Sequence, residues 1–541
     1  MTDPIVHIEN GSLRGVLKNS SEGYDYYAFL GIPYAKPPIG DLRFKDPEPP
    51  EKWSEVRDAT KYGEKCVQYD ARSKDIRGSE DCLFLNVYTK SLESNHKKCP
   101  VMIFIHGGGF MYGSGDDLSL GPDYLLRKDI ILVTFNYRLG IFGFLNLEDD
   151  VAPGNQGLKD MIMVFKWVQK NIDKFNGDPN NVTAFGESAG SAALNYLLHS
   201  PLTTGLFHRA ICQSGAGFNP WIRNKDPRKY IYSACYIMGK YTQDSKTIVE
   251  YLKNVDSQRI AQVQTQVEHS IPKLHQIFPY GPGPDPKAKE PVLPIPVEKA
   301  AEAGIDVPLI IGHNSCEGLS HLIDVGKLAG MVPKESFAEA DRAFSKMVNP
   351  RNQEYFSGRY NLTLKDLRNL YYGKEKITQE NALIYANMCS ELSFVEGVHR
   401  AVKVQVGKNL QPTYYYQFSY DGELTLTKAM IGVPVPGACH FDEMEYLFYM
   451  RQRIEFGFGT WKKGTVPYKI MQRMTEMWTN FAIYGSPIPE ISELLPVKWT
   501  QVNDGDNIPY LNIDKEIEMK IMPNIEQRFI AAKDANKSSN V

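Results

Sequence analysis

The chain has 541 residues, a formal net charge of −3 at pH 7 and 42% hydrophobic residues, enough apolar content to bury a large core. A charge this close to neutral argues against a nucleic-acid partner, and the basic pairs Lys97-Lys98 and Lys462-Lys463 read as solvated faces. No run approaches the ~18 consecutive apolar residues of a membrane span, and the start, MTDPIVHIENG, carries neither a basic nor an apolar leader segment, so a cytoplasmic chain is expected unless a leader has been trimmed away.

In chain order, IVHIENGSLRGVL (5–17) holds two short strand-like runs around Asn10-Gly11, which predicts an antiparallel hairpin. The Pro-rich stretch 31–53 is too punctuated for regular elements and reads as a surface wrap. Short apolar or aromatic runs then recur at 101–105, 130–137, 182–185, 209–214, 307–311 and 413–420, the pattern of strands buried on both faces. Helical periodicity lies between them, notably over 157–177, with Met161, Val164, Phe165, Val168 and Ile172 on one face and Asn176-Gly177 as the stop. This alternation predicts an α/β fold with a mainly parallel sheet and helices on both sides. Residues 220–300 and 320–410 turn mainly helical, as over 380–405, and read as cap insertions in a single domain spanning 1–541. The last long helix is expected at 468–485, stopped by Gly485 and Pro487. Eight scattered cysteines show no metal-ligand spacing, and Cys66 and Cys82 could either close a short loop or remain reduced thiols.

Chemistry concentrates at two strand ends. Gly186-Glu187-Ser188-Ala189-Gly190 follows one strand and opens a helix; the flanking glycines permit a tight bend that exposes the serine oxygen at the carboxyl edge of the sheet, under the positive end of the helix. FIHGGGF (104–110) follows another strand, and the N–H groups of Gly108, Gly109 and Ala189 could converge on an oxyanion. A serine hydroxyl needs a base and the base an orienting acid; chain order points to Glu317, just beyond the run 307–311, and His440, beyond 413–420. His399 lies inside a helical pattern and reads as packing, His313 and His321 crowd the proposed acid, and Asp442 is an alternative acid two residues from His440.

FIHGGGF, NYRLG (136–140), GNQGLKD (154–160), FGESAG (185–190), SEDCLFLNVY (79–88) and GHNSCEG (312–318) together resemble the type-B carboxylesterase and cholinesterase family of the α/β-hydrolase fold, over about 5–525, with a texture similar to insect detoxifying carboxylesterases of flies and mosquitoes. The resemblance implies a serine esterase without metal or organic cofactor, with Ser188 as nucleophile, Glu317 as acid, His440 as base and Gly108, Gly109 and Ala189 as the oxyanion hole. It implies Trp221 in the acyl pocket, and Arg43, Glu80, Arg138 and Asp160 as buried ion-pair residues bracing the site. Small-molecule esters are the implied substrates and organophosphates and carbamates the implied inhibitors, of a monomer or weak homodimer whose role is turnover or stoichiometric scavenging. Two departures narrow this. The loop 67–81 has no tryptophan to stack on a quaternary ammonium, which disfavours choline esters. Glu187, a substrate-binding candidate, stands where juvenile hormone esterases usually carry glutamine, which disfavours that specialised role.

Overall fold

Ile5–Ile8 and Gly11–Arg14 fold back on each other with Ile8 opposite Gly11, the hairpin that Asn10-Gly11 predicts, and Arg57–Asp58 adds a third, parallel strand. The second run does not continue to residue 17. The chain leaves the hairpin at Gly15, where a side chain would collide with the Phe29 ring, and Val16–Asn19 joins a different sheet. The computed structural model describes residues 3–93, 97–271, 278–322, 338, 341–408, 410–422, 425–431 and 436–538. Residues 323–337 of the expected insertion over 320–410, and 272–277 of that over 220–300, lie outside the described residues.

Among the described residues the large sheet has eleven strands, in the spatial order Ile517–Ile521, Pro509–Ile513, Thr413–Phe418, Leu309–Asn314, Arg209–Gln213, Gly177–Glu187, Cys99–Ile105, Ile131–Phe135, Phe84–Thr89, Asp25–Pro33 and Val16–Asn19. From Pro509–Ile513 through to Ile131–Phe135 every pairing is parallel, and the strands at both margins are antiparallel. With the flanking helices this is the α/β-hydrolase fold.

The period-two alternation of strand side chains divides the core. Val101, Ile103 and Ile105 face one apolar cluster, where the helix Gln156–Asn171 lays down Met161, Val164, Phe165 and Val168. Met102 and Phe104 face the other, where the helix Val466–Tyr484 supplies Met474, Met477, Trp478 and Phe481. Both helices stop as their sequences suggest: the first passes into a 3₁₀ turn, Ile172–Phe175, closed by Asn176 in the left-handed region, and the second is capped by Gly485 at φ 73°. Four further elements depart from expectation. Asp25–Pro33 is a nine-residue strand that runs into the Pro-rich stretch. The strands Pro509–Ile513 and Ile517–Ile521 complete the sheet, and the helix Ile525–Ser538 follows the one expected to be the last.

Candidate active site

The turn at Ser188 is built by close approach. A Cβ on Gly190 would stand 2.1 Å from the Ile105 carbonyl oxygen, and one on Gly186 would stand 2.7 Å from the Gly190 backbone, so strand and helix meet at a separation that only glycine allows. Ser188 itself is held at φ 56°, ψ −121°, a conformation L-residues rarely adopt, fixed by its N–H to the Gln213 carbonyl (2.8 Å) and by the Ala192 N–H to its own carbonyl (2.9 Å). Its hydroxyl is thereby aimed off the carboxyl end of the strand Gly177–Glu187, just before the helix Ala189–Leu197.

His440 reaches this hydroxyl from another loop. Its Nε2 lies 2.9 Å from Ser188 Oγ, and its Nδ1 lies 2.6 Å from Glu317 Oε2. Glu317 is fully buried, and its other oxygen accepts the Asn314 N–H at 2.7 Å. Burial alone would raise the Glu317 carboxyl, but the His440 ring and the donors around it hold it below the usual carboxylate range. Three residues remote in sequence thus form one hydrogen-bonded line. Asp442 is not part of it: its Oδ2 accepts the Cys439 N–H at 2.7 Å. His399 is buried in the helix Glu396–Lys408, and His313 turns its Nδ1 to the Asn314 carbonyl. His321 is buried, which drives it down to about 3 and keeps it neutral.

Gly107 packs against this group so tightly that a Cβ would stand 2.6 Å from Glu187 Oε2 and 3.0 Å from Ser188 Cβ. The next two residues, Gly108 (φ 100°) and Gly109 (φ 60°), turn through left-handed conformations, and their N–H groups donate to no acceptor among the described residues. Ala189 is the first residue of its helix, so its N–H has no partner within the helix. Donors with no acceptor beside a serine are suited to negative charge on a bound carbonyl.

Glu187 lies on the opposite side of the imidazole from Glu317. Its Oε1 is buried, unpaired by hydrogen bonds and 3.2 Å from His440 Nε2. Burial pushes the Glu187 carboxyl up to about 8. His440 is also shifted: burial favours its neutral form, but Glu187 and Glu317 outweigh that and raise it to about 9. Behind this group Glu443, fully buried and pushed up by burial to about 7, accepts from Asn314 Nδ2 (2.6 Å) and Gln213 Nε2 (3.2 Å). The sequence reading missed Glu443, although it is three residues from His440 in a run of acidic residues that had to turn inward.

An aromatic wall closes one side. The Phe394 ring lies 4.7 Å from the His440 ring, Trp221 is 6.0 Å from Phe394, and Phe278 meets Trp221 edge-on at 5.9 Å. Phe394 reaches this position because the helical run over 380–405 is not uniform: Glu391–Val395 widens into a π-helical turn between Ala382–Ser390 and Glu396–Lys408. Asn219 Nδ2 donates to the Ser393 and Phe394 carbonyls, both at 2.8 Å, and so ties that turn to the segment that carries Trp221.

The four bracing residues pair as the resemblance implies; the Arg138–Asp160 pair is buried and the Arg43–Glu80 pair is part-buried. Arg138 Nη2 meets Asp160 Oδ1 at 2.6 Å and Nε meets Oδ2 at 2.8 Å. Arg43 forks onto Glu80 and donates to the carbonyls of Leu252, Lys253 and Val255. Cys66 and Cys82, which the sequence left open, form a disulfide. Among the described residues no group of His, Cys, Asp and Glu is arranged to hold a metal ion, and no helix is long and apolar enough to cross a membrane.

The model of the carboxylesterase family matches residues 2–530. The chain belongs to the carboxylesterase family. As a carboxylesterase it is a carboxylic ester hydrolase, and its relatives are similar over most of their length. It is 34% identical over 540 residues to a juvenile hormone esterase of Tribolium castaneum, covering 94% of this chain and 88% of that one. It is also 34% identical over 491 residues to esterase B1 of Culex pipiens, covering 89% and 88%. Among solved structures, the juvenile hormone esterase of Manduca sexta with OTFP covalently attached superposes with a TM-score of 0.84 at 28% identity, covering 99% of this carboxylesterase and 100% of that chain.

Proposed function

We propose that this carboxylesterase hydrolyses hydrophobic esters through an acyl-enzyme on Ser188. As Ser188 Oγ bonds to the ester carbonyl carbon, its proton passes to His440 Nε2; Glu317 holds the ring in the tautomer that can accept it and stabilises the resulting cation. The N–H groups of Gly108, Gly109 and Ala189 bind the oxyanion. The carbon–oxygen bond to the alcohol then breaks, and His440 returns the proton to the leaving oxygen. Water attacks the acyl carbon, gives its proton to His440, and Ser188 leaves with that proton. What supports this reading is the unbroken line from Ser188 Oγ through both His440 nitrogens to a fully buried carboxylate.

The aromatic wall of Trp221, Phe278 and Phe394 favours apolar acyl groups. The resemblance to insect esterases favours a detoxifying role, in which organophosphates phosphorylate Ser188. Juvenile hormone, named in the Tribolium castaneum and Manduca sexta relatives, belongs on the substrate panel beside simple naphthyl and nitrophenyl esters. Separate titrations with an ester and with an organophosphate decide between turnover and sequestration. Sustained release of ester product far beyond one equivalent is expected. A single equivalent of ester product without recovery would make the chain a stoichiometric scavenger.

A further inference from the structure

On the far side of the Trp221 segment, between the turn that follows Pro220–Ile222 and the helix Pro350–Tyr360, lies a cavity of about 490 Å³, within the size range of small-molecule sites. We propose that it binds an organic carboxylate. Its walls are rich in cations, and several of these are already answered: Arg223 pairs with Glu298, Lys225 with Glu354 at 2.6 Å, and Arg359 with Glu526 and Glu396. Three are not. Lys229, Arg351 and Arg400 have no carboxylate within ion-pair distance among the described residues.

Arg351 donates instead to the Trp221 carbonyl (2.7 Å) and the Phe278 carbonyl (3.2 Å), and burial draws its guanidinium below the usual range. Arg400 donates to the Tyr355 hydroxyl at 3.2 Å and stands 4.6 Å over the Phe218 ring. Arg351 and Arg400 are half-buried with no carboxylate in ion-pair range among the described residues, and an anion in the cavity offsets the cost of holding them there. The guanidinium fork matches a carboxylate, and Tyr230 and Tyr355 offer ring surface to an apolar body beside it. The acid released by ester hydrolysis has this chemistry. That link to product rests on the proposed reaction; the binding site does not. Because Arg351 holds the carbonyls of Trp221 and Phe278, an occupant that engages it also bears on the aromatic wall.

The test is calorimetric titration of the full chain with benzoate, with neutral benzamide and inorganic phosphate as separate arms. One benzoate per chain is expected, with benzamide silent and phosphate weaker. Arg400→Gln should weaken benzoate about tenfold, the worth of one charge-assisted hydrogen bond. Lys229→Gln, at an exposed position, should weaken it in the same direction without threatening the fold. Binding should survive phosphorylation of Ser188, verified by intact mass. If no adduct forms, the Ser188 reading fails, and the two variants still decide the cavity. Benzoate affinity unchanged in both variants, benzamide binding equally well, or benzoate binding abolished by the Ser188 adduct would overturn the site; phosphate binding as tightly as benzoate would overturn the carboxylate assignment.

Discussion

Glu187 Oε1 lies 3.2 Å from His440 Nε2, the same nitrogen that meets Ser188 Oγ at 2.9 Å, so the imidazole stands between two buried carboxyl groups. Burial raises the Glu187 carboxyl, and Glu187 and Glu317 raise His440 against the effect of its own burial, so the two groups titrate as a coupled pair in which Glu187 attracts the protonated ring. That attraction raises the pH at which the free base appears. Glu187→Gln removes it, and the acid limb of the kcat/KM profile should move to lower pH by ~1 unit. Profiles of both forms on one nitrophenyl ester check this, and an unmoved limb would show that Glu187 does not govern the base.

The glycines of the turn make a prediction with an internal control. In Gly190→Ala the new methyl would stand 2.1 Å from the Ile105 carbonyl oxygen, so strand and helix must part. A loss of ~1–3 kcal/mol in denaturant titration is expected, as for overpacked cores, together with a fall in activity. Gly407 lies in the helix Glu396–Lys408 with open space where its Cβ would be. Gly407→Ala should stabilise by ~0.5–1 kcal/mol and leave activity unchanged.

Trp221 sets the wall nearest Phe394, whose ring packs on His440. Trp221→Ala should favour longer acyl chains. The ratio of kcat/KM for a long over a short acyl nitrophenyl ester is expected to rise about tenfold or more, the scale of discrimination that one or two methylenes provide in an apolar pocket. A ratio that stays constant while both rates fall would place Trp221 outside the acyl pocket.

What could be read from the sequence, and what could not, follows from how local each signal is. The turn at Ser188 and the strand ends before Gly107 and Glu317 were legible because close approach and tight bending demand glycine at fixed offsets. The central strands were legible because burial on both faces makes them continuous apolar runs. Ile517–Ile521 was missed for the opposite reason: it is an edge strand with Glu518 and Lys520 exposed, so its sequence alternates and lacks the continuous apolar run that marks the central strands. Phe278 and Phe394 reach the site only through tertiary packing. The π-helical turn that carries Phe394 depends on Asn219, some 175 residues away in sequence, to take its free carbonyls, and no local spacing encodes that.

The central claim is that Ser188 carries the acyl group. The most direct measurement is kcat/KM of Ser188→Ala on a nitrophenyl ester, with the denaturation midpoint taken in parallel. A loss of ~10⁴-fold or more with an unchanged midpoint is predicted; hydrolysis at a rate near that of the unaltered chain would contradict the account.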